Sequence, residues 1–144
     1  METQNYANHR RFVPMYHVVL FLMLVLTLIG AGVNLYESWG DHQRLYSASL
    51  IVVLTVAMLI LFFLCRIFAL KAQDRAIRAE ENLRNFAMTG RLLDARLTTR
   101  QVVGLRFASD GEFVALAQRA AAENLTEDAI KRAIKTWRPD TYRV

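Results

Sequence analysis

The chain has 144 residues, 54% of them hydrophobic, and a formal net charge of +5. Its single cysteine excludes an internal disulfide, and no Gly-rich phosphate loop, Ser/His/Asp set or carboxylate pair of workable spacing is present. These absences argue against an enzyme, and no small-molecule substrate is evident. The apolar residues are not spread as in one soluble domain but gathered into two charge-free runs, residues 18–33 and 48–65.

The first 14 residues are polar and aromatic and read as a cytoplasmic interfacial segment. Arg10 and Arg11 would meet phosphates, with Tyr6, Phe12 and Tyr16 at headgroup depth. A sharper use of Asn8, His9 and Arg10 is recognition of the cytoplasmic domain or another subunit; anchoring is the favoured reading. Arg10 and Arg11 stand at the wrong spacing for a twin-arginine signal, and the following run is too long for a cleaved signal peptide. Pro14 suits the first turn of a helix, where a missing N–H costs little.

Two helices of about 15–36 and 46–70 follow, each near the roughly 20 residues needed to cross a hydrocarbon core. Tyr16, Tyr36, Trp39 and Tyr46 supply aromatic edges, and Arg66 and Lys71 basic ones. Cations flank the outer ends of the pair, whereas the turn holds Arg44 against Glu37 and Asp41. The expected topology is a transmembrane hairpin in a bacterial inner membrane, with both termini cytoplasmic. Thr27, Asn34, Ser49 and Thr55 can bond their own turn or a neighbouring helix, and Gly30 and Gly32 would allow close contact. Cys65 reads as a small buried apolar side chain.

The second helix is expected to continue as a cytoplasmic stalk over residues 71–97. Apolar or small residues recur there at steps of three and four, through Ala69, Ala72, Ala76, Ala79, Leu83, Phe86, Gly90, Leu93 and Leu97. That is a coiled-coil seam, in which Ala72, Ala76, Ala79, Leu83 and Phe86 would meet either the chain's own C-terminal helices or another chain. Asp74/Arg78 and Glu80/Arg84 are candidate i,i+4 pairs. Residues 66–106 carry nine Lys/Arg against four Asp/Glu, so the positive excess lies where anionic headgroups would attract it.

Residues 98–144 read as a small three-helix unit. Thr98 or Thr99 caps the first helix, a Ser109/Glu112 capping box opens the second, and Thr126 caps the third. The third would bury Ile130, Ala133, Ile134 and Trp137 and stop at Pro139. A helix-turn-helix presenting Lys131, Arg132, Lys135 and Arg138 to DNA is a minor alternative, since residues 107–144 carry no net charge and nucleic acid is not the expected partner.

Neither apolar run contains a histidine. His17, and more weakly His9, remain the candidates for haem or quinone at the cytoplasmic interface; otherwise no cofactor and no metal site is expected.

The block Asn5-Tyr6-Ala7-Asn8-His9-Arg10-Arg11-Phe12-Val13-Pro14-Met15-Tyr16-His17 resembles the start of a bacterial family of small two-helix membrane proteins of unknown function. Leu105-Arg106-Phe107-Ala108-Ser109-Asp110, followed by Ile130-Lys131, Ile134-Lys135 and Trp137-Arg138-Pro139-Asp140, is similar to its C-terminal block. The family pattern commonly places an acidic pair after the Asp110 position, where this chain has Gly111 and Glu112. The resemblance implies the two-helix topology and no activity. The expected role is a non-enzymatic accessory or scaffold subunit. Its partners would be a bilayer with anionic headgroups and either other membrane-protein subunits or a second copy.

Overall fold

The computed structural model of the chain describes residues 4–9 and 11–140. Arg10 lies outside them. Among the described residues the protein is all-helical, with helices α1 (Phe21–Glu37), α2 (His42–Thr89), α3 (Thr99–Leu105), α4 (Asp110–Glu123) and α5 (Glu127–Ala133). A six-residue π-helical segment, Met15–Leu20, leads into α1. The chain divides into two compact units, Phe12–Phe68 and the combination of Met1–Arg11 with Ala69–Val144. The N-terminal segment therefore belongs with the tail.

The unit Phe12–Phe68 is an antiparallel helical hairpin. Its turn closes at Gly40, whose φ of 99° favours glycine. Small residues make the closest packing, with Ala31, Ala48 and Thr55 all buried. Gly30 and Gly32 do not, since a Cβ added at either would meet nothing within 4 Å. Farther along, the Tyr16 ring stacks on Phe62 at 4.3 Å and its hydroxyl donates to the Phe62 carbonyl. Thr27, Ser49 and Thr55 bond back to carbonyls of their own turn. Residues Met15–Glu37 and His42–Thr89 form helices long and apolar enough to cross a membrane. Cys65 is exposed rather than buried.

The other unit is built on the last five turns of α2. That helix stops at Thr89 rather than continuing to residue 97, because Gly90 takes a φ of 71° and its N–H bonds to the Phe86 carbonyl. Leu93 and Leu97 consequently leave the seam and pack into the C-terminal core with Leu105, Phe107 and Phe113. Thr98 and Gln101 form a reciprocal capping box on α3. Gly104 lets α3 cross α5 closely, since a Cβ there would stand 3.1 Å from the Glu127 carbonyl.

Two local expectations change. The Ser109/Glu112 capping box does not form; the Glu112 carboxylate instead accepts from the backbone N–H groups of Lys135 and Thr136, at 3.1 and 2.9 Å. Helix α5 also stops short, with Ile134 extended. Trp137 then pairs with Ala108 in an antiparallel β-bridge, flanked by hydrogen bonds from Ser109 N–H to the Thr136 carbonyl and from Arg138 N–H to the Phe107 carbonyl. Those bonds satisfy backbone groups that a longer α5 would have satisfied internally.

Candidate functional site

The first part of the N-terminal block, residues 5–9, meets the C-terminal block in one surface. Asn5 and Asn8 fold the N-terminal segment on itself: Asn5 Oδ1 accepts from the Ala7 and Asn8 N–H groups, and Asn8 Oδ1 accepts from the Asn5 N–H. The turn aims Tyr6 and His9 at the C-terminal block. The Tyr6 hydroxyl donates to the Asp128 carboxylate and accepts from Arg132, whose guanidinium also lies 5.2 Å from the Tyr6 ring centre. These contacts raise the pKa of Arg132, first through the Tyr6 bond and then through Asp128. The His9 ring, 9% exposed, sits edge-on to Phe107 at 5.7 Å and 5.8 Å from Trp137. Its Nδ1 lies 2.7 Å from the Tyr6 carbonyl oxygen. Gln4 completes the strap by accepting from the Asp140 N–H at 2.7 Å.

Beside this strap lies a charged network. Arg84 of α2, almost wholly buried, donates to Glu81 at 2.9 Å, to Asp110 at 2.6 and 2.9 Å and to the Ala108 carbonyl, while its guanidinium covers the Phe113 ring. Each nitrogen of the guanidinium is thus engaged, and α2 is tied to the start of α4. Burial pushes the Glu81 carboxyl up from its ordinary range, against the lowering effect of its Arg84 bond. Arg84 holds Asp110 below its ordinary range.

Arg106 is also buried, with only 9% of its side chain exposed. Its Nε lies 3.2 Å from an Asp140 carboxylate oxygen, yet neither Nε nor Nη1 has a hydrogen-bond partner. Burial lowers its pKa, with Asp140 acting in the opposite sense. It borders a cavity of about 190 Å³ lined also by Gln73, Glu80, Glu81, Arg138 and Asp140. Its lining thus carries three carboxylates against two guanidiniums, a balance that gives no net attraction for an anion.

The other sequence-designated residues fall as follows. Tyr36, Trp39 and Tyr46 are exposed, Lys71 and Arg11 are exposed, and Arg66 and Tyr16 are half-buried. His17 stacks on Phe12 at 4.9 Å, and its Nδ1 lies 2.9 Å from the Val13 carbonyl oxygen. His9 and His17 belong to different units. No group of three or more His, Cys, Asp or Glu able to hold a metal occurs among the described residues.

The seam residues Ala72, Ala76, Ala79, Leu83 and Phe86 are all exposed. The face of α2 covered by the chain's own C-terminal helices is another one, carrying Ile77, Glu81 and Asn85. The Asp74/Arg78 and Glu80/Arg84 pairs do not form, since Arg84 turns to Glu81 and Asp110 and Arg78 donates to Thr99. Among the cations of the helix-turn-helix alternative, Lys131 pairs with Glu127, Arg132 with Asp128 and Arg138 with Glu81, and Lys135 lies beyond the end of α5.

No sequence periodicity points to the strap, because its partners lie about 100 residues or more away and its contacts are aromatic and polar. Its signal was the distinctiveness of the two blocks themselves. No curated protein and no solved structure matches the chain. One family does, over residues 1–144, and the chain belongs to it: a family of unknown function, DUF6526.

Proposed function

We propose that the protein is a non-enzymatic integral protein of a bacterial plasma membrane, with both termini cytoplasmic, serving as an accessory or scaffold subunit of a larger membrane assembly. The observation that carries this reading is the bareness of its apolar helices. Only 6% of the most apolar window of Met15–Glu37 and 11% of that of His42–Thr89 is buried within the chain. Core helices of a soluble protein would be covered by their own fold, so these require lipid or other helices around them. The turn supports the orientation, because its one cation, Arg44, is offset by Asp41 at 3.8 Å, whereas Arg66, Lys71 and Arg75 follow the second apolar run.

A compact helical unit tied to its own N-terminal strap is suited to presenting a fixed surface. Its internal contacts engage the side chains that a catalytic centre would need free: each Arg84 nitrogen is bonded and His9 is packed against two rings. The cations available to DNA are mostly paired with carboxylates.

Alkaline carbonate washing of membranes, followed by mild detergent extraction and mass spectrometry of co-purifying proteins, tests the proposal. Retention in the washed membrane with stoichiometric partners or self-association is expected. Release by carbonate, or a partner-free monomer, would overturn it. A Soret band or a co-extracted quinone would replace it with the cofactor-binding reading, in which His17 is the ligand.

A further inference from the structure

The stalk portion of α2 is two-faced. At 100° per residue, Ile77, Glu81 and Asn85 occupy an arc of about 80° that the chain's own helices cover. Ala72, Ala76, Ala79, Leu83 and Phe86 lie on the diametrically opposite side, with Leu83 68% and Phe86 52% exposed. The chain thus spends one face of the helix on itself and leaves the other, apolar and heptad-spaced, uncovered.

We infer that this face pairs with the same face of a second copy, in a parallel and in-register coiled coil. The argument for a second copy is charge complementarity. With Ala76 and Leu83 at a positions and Ala72, Ala79 and Phe86 at d positions, Arg75 stands at g and Glu80 at the following e. In a parallel dimer g faces the next e of the other helix, so Arg75 of each chain meets Glu80 of its neighbour, twice by symmetry. Antiparallel pairing sets g against g and e against e and gains neither pair. Both side chains are exposed, and neither forms an ion pair within the chain among the described residues.

The inference deepens the scaffold reading and rests on its membrane assignment in one respect. Two copies inserted in one bilayer with the same topology run parallel, and the shared surface raises their effective concentration. The alanines at the first two turns allow close helix approach, while Leu83 and Phe86 supply the larger knobs beyond.

The test uses the full-length chain carrying Cys65→Ala, in native membranes. A cysteine at Leu83 or Phe86 is expected to give an oxidised dimer, whereas one at Lys71, exposed but off the seam, is expected to give none. Arg75→Glu and Glu80→Arg should each lower the cross-linked fraction about five-fold through lost attraction and new repulsion. The double variant, R75E with E80R, should restore it. Absence of cross-linking at both seam positions, equal cross-linking at Lys71, or failure of the double variant to recover would overturn the inference. Retention in carbonate-washed membranes without charge rescue would overturn the dimer alone. Release from the membrane with rescue intact would overturn the membrane assignment and leave the dimer standing.

Discussion

Replacing His9 by alanine is the most informative single perturbation of the helical unit. The ring lies against Phe107, which is fully buried, and against Trp137, and its Nδ1 contacts the Tyr6 carbonyl at 2.7 Å. Two aromatic contacts contribute about 0.5–1.5 kcal/mol each, and the hydrogen bond adds about 1 kcal/mol. The expected cost is therefore about 2–4 kcal/mol. For a unit of this size that corresponds to a melting-temperature drop of roughly 10–30 °C. The assay is thermal unfolding of the detergent-solubilised full chain carrying Trp39→Phe, so that Trp137 is the sole tryptophan emitter. His9→Ala should also shift Trp137 emission to the red and increase its quenching by acrylamide. An unchanged melting temperature and an unchanged Trp137 spectrum would show that the strap does not cover this ring, refuting the reasoning.

Three further outcomes follow from the same geometry. Arg84→Met should cost about 3–5 kcal/mol, because it leaves the buried Glu81 carboxylate without its main partner, and adding Glu81→Gln should return part of that loss in the same melts. Gly104→Ala should destabilise by about 1–3 kcal/mol in denaturant titration, since the new methyl would press on the Glu127 carbonyl from 3.1 Å. The stability contributed by Asp110, whose carboxyl Arg84 holds below its ordinary range, is present above the ordinary carboxylate pKa and is lost as pH falls through the depressed one. Melts from neutral to strongly acid pH should therefore be less acid-sensitive for Asp110→Asn than for the wild type.

The parts of the fold legible in the sequence are those governed by local rules. Apolar runs mark the two long helices, and Thr98 and Thr126 cap α3 and α5 as their positions suggest. What periodicity could not reveal is which face of α2 the chain uses. The covered face carries Ile77, Glu81 and Asn85 with Arg84 at its edge, and its polar residues depend on partners such as Asp110, 26 residues from Arg84. The apolar face, by contrast, stays uncovered in the single chain, so a pattern that ordinarily marks a core here marks a surface.

The Ser109/Glu112 spacing misleads for a related reason. Glu112 has a better use in accepting two backbone N–H groups from the strand-like segment after α5, which exists only because Ile134 leaves the helix. The N-terminal block is the most ambiguous in sequence. Its Tyr, His and Asn content suits a membrane interface equally well, and only the placement of Phe107, Asp128, Arg132 and Trp137 shows where Tyr6 and His9 go.

That choice, between a segment lying on lipid and one strapped to the protein, is the point on which the account turns. A benzophenone side chain placed at Tyr6 of the full chain in native membranes, irradiated and mapped by mass spectrometry, addresses it directly. An intramolecular cross-link to the segment around Asp128 and Arg132 is expected. Cross-links to lipid without that peptide would contradict it and return the segment to the membrane surface.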